Sequence, residues 1–455
     1  MTLSPPGLLV AAPASGSGKT TLTLALLRCL RNQGRAVASV KAGPDYIDPA
    51  FHQAASGRPC LNLDPWAMRP ETLAAAVAQA VEGAGEGAEL VLGEGVMGLF
   101  DGAPVTDARG LAAGSTAALA ALTGWPVVLV VDCKGMGASV AALAAGFANF
   151  HAAVPLAGVI LNNVASPRHE ALLRSALEGA GLTVFGALAR DAALARPSRH
   201  LGLVQAGEDG DLEDFLEAAA AAVAAQVDVA ALCGAARPAK IEAKTSAPLA
   251  PPLPPLGQHI AVARDLAFAF AYPLLLDAWR RAGAEVSFFS PLADAAPDPA
   301  ADAVYLPGGY PELHAARLAG NGRFLAGLRA AAGRDAAVYG ECGGYMVLGR
   351  GLEDAEGRRH AMAGLLPLES SFKAPERHLG YRRAKLLAAG TLGRSGAAFR
   401  AHEFHYARVL GPEGPDETAL FEARGADGGG AARVGQRQGR VFGSFLHLID
   451  GEVAS

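Results

Sequence analysis

Cysteine is scarce in this chain and follows no pattern. The five residues Cys29, Cys60, Cys133, Cys233 and Cys342 are odd in number, widely spread and form no CxxC pair. That argues against a disulfide framework or a zinc site and for a reducing compartment, so a cytoplasmic setting is expected. A basic excess is also missing. Lys and Arg total 39 against 44 Asp and Glu, giving a net charge of -5 and a pI near 6.1. Nucleic acid and anionic membrane surfaces both call for a basic footprint, so neither is expected as a partner. No apolar run is long enough to span a bilayer. The Ala-rich stretch at 217–232 is broken by Gln226 and Asp228, and a span needs roughly 20 apolar residues. The first residues, MTLSPPGLLVAAPASGSGKTT, have neither a basic flank nor a long apolar core, so no signal peptide is expected. There is no short internal repeat.

What the chain does have is material for large cores. Its 455 residues are 51% hydrophobic and 18% charged, enough for two to three globular domains. The proline-rich segment 234–258, GAARPAKIEAKTSAPLAPPLPPLGQ, reads as an extended linker. It divides the chain into 1–233 and 259–455. In the first part, apolar runs at 7–12, 36–43, 89–95, 126–132, 156–164 and 183–188 alternate with helical stretches at 20–32, 71–82, 138–150 and 169–179. Such alternation predicts a parallel sheet covered on both faces. The second part repeats the style at 259–264, 285–290, 303–309 and 336–341. The fold class is therefore α/β in both parts.

The first run leads into PASGSGKTT. Glycines allow a tight turn that aims backbone N–H groups at phosphate oxygens, and the helix that follows adds positive potential. Ser15, Gly16, Ser17, Gly18, Lys19, Thr20 and Thr21 are thus candidate nucleotide-binding residues. Lys19 is placed to reach the outer phosphates and Thr20 to ligate Mg²⁺. The glycine that opens the usual phosphate-loop pattern is replaced by Pro13. Two acidic clusters follow later strands: KAGPDYIDP, with Lys41, Asp45 and Asp48, and GEGVMGLFDG, with Glu94 and Asp101. Carboxylates at the carboxyl ends of parallel strands lie where such sheets bind ligands. Asn162, ending another strand, either reads a purine edge or simply forms a turn.

In the second part, AAVYGECGGYMVLG puts Cys342 at a strand-to-helix turn. A thiol there is expected to be exposed, with its thiolate favoured by the helix N-terminus. The upstream LPGGYPE offers Gly309, and the N–H of Gly343 completes a candidate oxyanion site. His447 is the candidate base, with His402 and His405 as competitors.

These motifs carry a specific resemblance. GECGG, PGGYPE and the downstream histidine resemble a class I glutamine amidotransferase domain of the cobalamin-biosynthesis type. SGSGKTT, KAGPDYIDP, EGVMGLFDG and HLGL at 200–203 resemble the amidoligase domain of the a,c-diamide synthases that act on cobyrinic or hydrogenobyrinic acid. The resemblance covers nearly the whole chain apart from the linker. It implies a dethiobiotin-synthetase-like phosphate-loop domain followed by a glutaminase domain, with ATP, Mg²⁺, glutamine and a corrin-type acid as ligands. It implies that Cys342 and His447 hydrolyse glutamine. Glu94, Asp45, Asp48 and Asp101 would serve the carboxylate-activating site, with Thr20, Asp45 and Glu94 as metal ligands. The wording of SGSGKT and VYGECGGYM is closer to members that use the metal-free ring. Arg199 and His200 are family-motif residues, and Arg377, Tyr381 and Arg382 either face the substrate or pack the second domain. A homodimer is the expected assembly. One departure stands out: the glutamate that commonly follows the glutaminase histidine by two positions is Ile449, so a Cys–His dyad is expected.

Other readings make different demands. The same machinery would serve another tetrapyrrole, such as a sirohydrochlorin. A phosphate-loop switch ATPase often carries an early loop lysine, where this chain has Ala14, and gives the Cys342 domain no role. A dethiobiotin-synthetase-like ligase alone lacks a glutaminase domain.

Overall fold

The computed structural model describes residues 5–83, 87–191, 210–241, 251–411 and 416–452. The HLGL motif, Arg199 and His200 lie outside these residues. The chain forms two compact units, residues 1–66 with 70–248, and residues 67–69 with 249–455.

The first unit is built on strands β1 (Pro6–Ala11), β2 (Val37–Ala42), β3 (Cys60–Leu63), β4 (Leu90–Glu94), β5 (Val127–Asp132), β6 (Leu156–Val164), β7 (Val184–Ala189) and β8 (Arg237–Pro238). Their order is β3-β2-β4-β1-β5-β6-β7, all parallel, while β8 runs antiparallel along the start of β1. The central strands are apolar without alternation and buried on both faces, as helical cover on each side requires. Helix α1 (Lys19–Asn32) is buried from Leu22 to Leu30. Its buried Arg28 is held by Glu213 and Glu217 of the helix Leu212–Gln226, each at 2.8 Å. Helix α2 (Asp48–Ser56) begins inside the KAGPDYIDP segment, so Asp48 lies in a helical first turn rather than in an open loop.

The second unit continues with β9 (His259–Ala263), β10 (Glu285–Phe289), β11 (Ala303–Leu306), β12 (Ala337–Glu341), β13 (Gly351–Glu353), β14 (Arg359–Ala361), β15 (Glu369–Ser371), β16 (His378–Leu386), β17 (Ala398–His405), β18 (Arg408–Val409), β19 (Ala419–Gly425), β20 (Ala432–Gln438), β21 (Val441–Ser444) and β22 (Leu446–Gly451). One sheet runs β10-β9-β11-β12-β21-β20-β19-β16-β17-β22, and a small one runs β14-β13-β15-β18. The large sheet is parallel from β10 through β12 to β21 and antiparallel beyond. The sequence showed only its parallel half, because continuous apolar runs mark strands buried on both faces. β16 to β20 carry mixed polar residues on an exposed side.

The proline-rich segment is packed at its described ends. Arg237–Pro238 joins the first sheet, and Leu253 and Leu256 are buried in the second unit. The indole N–H of buried Trp279 donates to the Leu253 carbonyl at 3.1 Å. Replacing Trp279 by Ala removes a large buried ring and that bond, and is expected to cost the second unit about 3–5 kcal/mol. A fall in its urea midpoint with little change in slope would register the loss; an unchanged midpoint would contradict it.

Candidate functional site

Two strand-to-helix turns concentrate the chemistry, one in each unit. In the first, β1 ends at Ala11 and the chain turns through Pro13–Gly18 into α1. Gly16 and Gly18 hold positive φ angles of 83° and 89°, a region that glycine enters without penalty. Ser15 and Gly16 are exposed, and the Ser17 hydroxyl donates back to the Ala14 carbonyl at 2.9 Å. Gly18 caps α1 with no side-chain bond, so the first N–H groups of a 14-residue helix point out of the loop, the arrangement that binds phosphate. Thr21 lies in the same first turn.

The expected residues converge on Glu94, which is fully buried. Its Oε1 accepts from Lys19 Nζ (2.9 Å), Thr20 Oγ1 (2.6 Å) and Lys41 Nζ (3.1 Å), and its Oε2 meets His52 Nε2 (2.7 Å). Burial opposes the charge on Glu94, but Lys19, Lys41 and His52 outweigh it and hold the carboxyl well below its usual range. Lys41 also pairs with Asp48 at 2.7 Å. Burial, then the neighbouring Asp45 carboxylate, lift Asp48 to about 6 against the pull of Lys41. Asp45 uses one oxygen to accept the N–H groups of Ile47 (2.7 Å) and Asp48 (3.2 Å), shaping the entry to α2.

His52 was not visible in the sequence, although it stands four residues after Asp48 on α2, on the same helical face. Burial alone would lower its pKa. Cys60 at 3.5 Å from Nδ1 and Glu94 at Nε2 reverse this and raise it to about 10.

Two expected residues have local partners. Asp101 is exposed and accepts the Gly98 N–H at 3.0 Å, closing its own turn. The Asn162 amide donates to the Ser17 carbonyl at 2.9 Å and braces the phosphate-type loop. It packs so closely that a Cβ on Gly18 would collide with it.

In the second unit, Cys342 follows β12 directly and caps the helix Gly343–Leu348. Its backbone sits at φ 46° and ψ -105°, a strained conformation for a non-glycine residue that clusters at functional turns. The turn is tight because β12 and the helix nearly touch. A Cβ on Gly344 would strike the Leu306 carbonyl, and one on Gly340 would lie 2.7 Å from Gly344. The expected exposed thiolate is not what this turn creates. Cys342 is 4% exposed, and its Sγ faces the Phe404 carbonyl at 3.8 Å. Burial pushes the thiol far up, and the carboxyls of Glu312, Glu341 and Glu403 add to the effect. The Gly343 N–H works the other way without overcoming it.

Around this turn the candidates do assemble. A Cβ on Gly343 would lie 3.1 Å from the Gly309 nitrogen, and one on Gly308 would collide with the His447 ring. The PGGYPE loop therefore touches both the cysteine turn and the histidine. His447 is 2% exposed. Burial, followed by the nearby His402 and His405, lowers it to about 3, leaving a neutral imidazole at physiological pH. Of the competing histidines, His402 lies opposite His447 across β17 and β22. His405 stacks between Phe445 at 4.0 Å and His378 at 4.5 Å. Ligand-type atoms of His378, Glu403 and His405 fall within 4.8 Å of one another, but Glu403 is already paired with Arg382 at 2.8 Å. Tyr381 places its ring 6.0 Å from that of His402.

Two predictions follow from the Glu94 cluster. Replacing Glu94 by Gln removes the carboxylate that Lys19 and His52 face and leaves Lys41 with Asp48 alone, and is expected to cost about 3–5 kcal/mol, read from the urea midpoint of the first unit. His52 holds its proton from the ordinary 6.5 up to about 10 in the folded protein. Its contribution to stability is therefore complete below pH 6.5 and lost as pH rises through 10. A His52→Gln variant should flatten the fall in melting temperature across that window; an unchanged slope would reject the assignment.

Residues 8–204 match the family described as the CobQ/CobB/MinD/ParA nucleotide binding domain, and residues 259–453 the CobB/CobQ-like glutamine amidotransferase domain. The chain is 56% identical to a hydrogenobyrinate a,c-diamide synthase of Brucella anthropi over 445 residues, covering 98% of each chain. It is 55% identical to proteins of the same name from Rhizobium meliloti and Rhodobacter capsulatus. The first match covers 98% of this chain and 99% of the relative, the second 99% and 100%. Among the described residues, no helix is long and apolar enough to cross a membrane.

Proposed function

The chain belongs to the hydrogenobyrinate a,c-diamide synthase family, and from that premise we propose that it uses ATP and glutamine to amidate the a and c side-chain carboxylates of hydrogenobyrinic acid in the cytoplasm. The observation that carries this reading is the coexistence of two chemistries on one chain. A glycine turn feeds an uncapped helix beside Lys19, and a strained Cys342 stands between Gly309, Gly343 and His447.

At the second site, neutral His447 takes the proton from Cys342 Sγ as sulfur attacks the carboxamide carbon of glutamine. The oxyanion is held by the N–H groups of Gly309 and Gly343. The imidazolium returns the proton to the departing nitrogen, ammonia leaves, and water hydrolyses the thioester to glutamate. A neutral thiol–imidazole pair suits this order, because the proton moves only as glutamine is attacked.

At the first site, a ring carboxylate oxygen attacks the γ-phosphorus of ATP and ADP departs. Ammonia then displaces phosphate from the acyl phosphate and loses a proton to give the amide. Ser15 to Thr21 would cradle the phosphates, with Lys19 offsetting their charge. Asn162 supports the loop from behind. Asp48, poised near 6, is a candidate acceptor for the proton shed by the attacking nitrogen, and Asp101 would shape the neighbouring turn.

Thr20, Asp45 and Glu94 would hold Mg²⁺. The fit rests on the donor set, a hydroxyl at the loop and carboxylates beside it, with Glu94, whose oxygens already meet Lys19, Thr20, Lys41 and His52, acting through water bound to the ion. Lys19, Lys41 and His52 balance Glu94, Asp45 and Asp48, so the remaining negative charge would come from the nucleotide. When bound, Mg²⁺ supplies charge neutralisation for phosphoryl transfer. A homodimer is the default assembly for such an enzyme.

Replacing Cys342 by Ala should abolish glutamine-supported diamide formation while ammonia-supported formation continues, as judged by product mass. Retained use of glutamine would defeat the reading. Supplying cobyrinic acid in parallel tests ring preference, and a two-amide product from the metal-free acid alone is the expected result.

A further inference from the structure

His447 needs a group to orient its ring. The position two residues on, where an acid would lie on the same face of β22, is Ile449, which is 4% exposed. An acid nonetheless reaches the imidazole from another strand. Glu341, the last residue of β12 and the one immediately before Cys342, places Oε2 at 3.8 Å from His447 Nδ1. We infer that Glu341 is the positioning residue of the glutaminase site and supplies from β12 the carboxylate that position 449 of β22 does not.

The placement is built rather than incidental. β12 runs parallel to β21 with Glu341 opposite Ser444, and the Cys342 N–H donates to the Ser444 carbonyl at 2.8 Å. Two residues beyond Ser444 the chain enters β22, where the Leu448 N–H donates to Glu341 Oε1 at 3.1 Å. One backbone turn thus fixes the carboxylate against the residue next to His447. Two buried phenols complete its cage: Tyr339 donates to Oε1 at 2.7 Å and Tyr305 to Oε2 at 2.8 Å. Their rings stack at 5.7 Å, and Tyr339 stacks on Phe442 at 4.9 Å. Neither oxygen can swing away. Three donors occupy part of the acceptor capacity of a carboxylate and leave it able to accept a further bond.

The separation exceeds a hydrogen bond by less than an ångström, and catalytic bonds of this kind often shorten only when substrate binds. An acid at Nδ1 selects the tautomer that carries its proton there. That leaves Nε2 free of hydrogen and able to take the thiol proton. In this role Glu341 touches neither glutamine nor Cys342 Sγ, and its positioning effect runs through His447, apart from the charge it lends the thiol's surroundings. Burial lifts its carboxyl to about 7, with the two phenols and the Leu448 N–H pulling it back down. The groups facing this pair are Tyr305 on β11, Tyr339 on β12, the Leu448 N–H on β22, and His402, Glu403 and His405 on β17, while Glu312 acts on the adjoining Cys342.

The inference rests on the proposed glutaminase reading and is tested separately from it in the full chain. Glu341→Gln preserves shape and removes the charge. The variant should melt near the parent and keep its ammonia-supported rate. Its kcat with glutamine should fall by about tenfold to a hundredfold, with the KM for glutamine little altered and with Glu341→Asp partly restoring turnover. The pH profile of Cys342 alkylation by iodoacetamide should shift as well. An unchanged kcat together with a superimposable alkylation profile would reduce Glu341 to a structural anchor for the two tyrosines. Should Glu341→Gln fail to fold, the ¹⁵N-histidine spectrum of the unaltered protein decides, with the His447 signal assigned by its loss in His447→Gln. The Nδ1–H tautomer supports the inference and the Nε2–H tautomer overturns it. If Cys342→Ala still used glutamine, the underlying reading would fail; if only Glu341→Gln were silent, the positioning role alone would fall.

Discussion

Glu94 is an ionised carboxylate with no exposed surface, and the phosphate-type site is organised around the need to keep it so. An unpaired buried charge of this kind would cost several kcal/mol, and four donors from three elements answer it: Lys19 and Thr20 from α1, Lys41 from β2, and His52 from α2. The same bonds set the position of the α1 N-terminus relative to the ends of β2 and β4. Lys41 then ties in Asp48 and the start of α2. Residues far apart in the chain are in this way locked to one oxygen pair, which is how a loop of small residues acquires a defined shape before any ligand contributes contacts.

The second unit uses buried carboxyls to opposite effect. Around Cys342 burial, reinforced by neighbouring acids, keeps the proton on sulfur, while burial and the nearby His402 and His405 keep His447 neutral. In the proposed glutaminase reaction both groups would stay neutral until substrate binds, because separating charge in a dry site is offset only when an oxyanion and its N–H donors form together. The backbone strain at Cys342 belongs to the same design. It holds the sulfur against the Phe404 carbonyl of β17 and brings Gly343 beside the PGGYPE loop.

Much of this was legible in the sequence, for a physical reason. Parallel strands buried on both faces read as unbroken apolar runs, so β1, β2, β4 to β7 and β9 to β12 were recognisable. The turns that follow them carried Lys19, Glu94 and Cys342. β3 is short and broken by the polar Asn62, so it gave no apolar run, and the antiparallel β16 to β20 mix polar and apolar residues on half-exposed faces. Side-chain partnerships were harder still. His52 and Glu341 act through space, and spacing along the chain does not disclose them. Asp101 and Asn162 were read from position alone, and geometry gives both a local bracing contact. The exposure expected at Cys342 failed because strand, helix and β17 close over the sulfur together.

A sulfhydryl that retains its hydrogen at neutral pH is also slow to meet peroxide, because oxidation to sulfenic acid starts from the anion. The enclosed, acid-ringed setting of Cys342 thus doubles as chemical shelter. In the reaction proposed above, the sulfur would persist from one cycle to the next in its reduced form, a protection that a permanently ionised sulfur would forfeit.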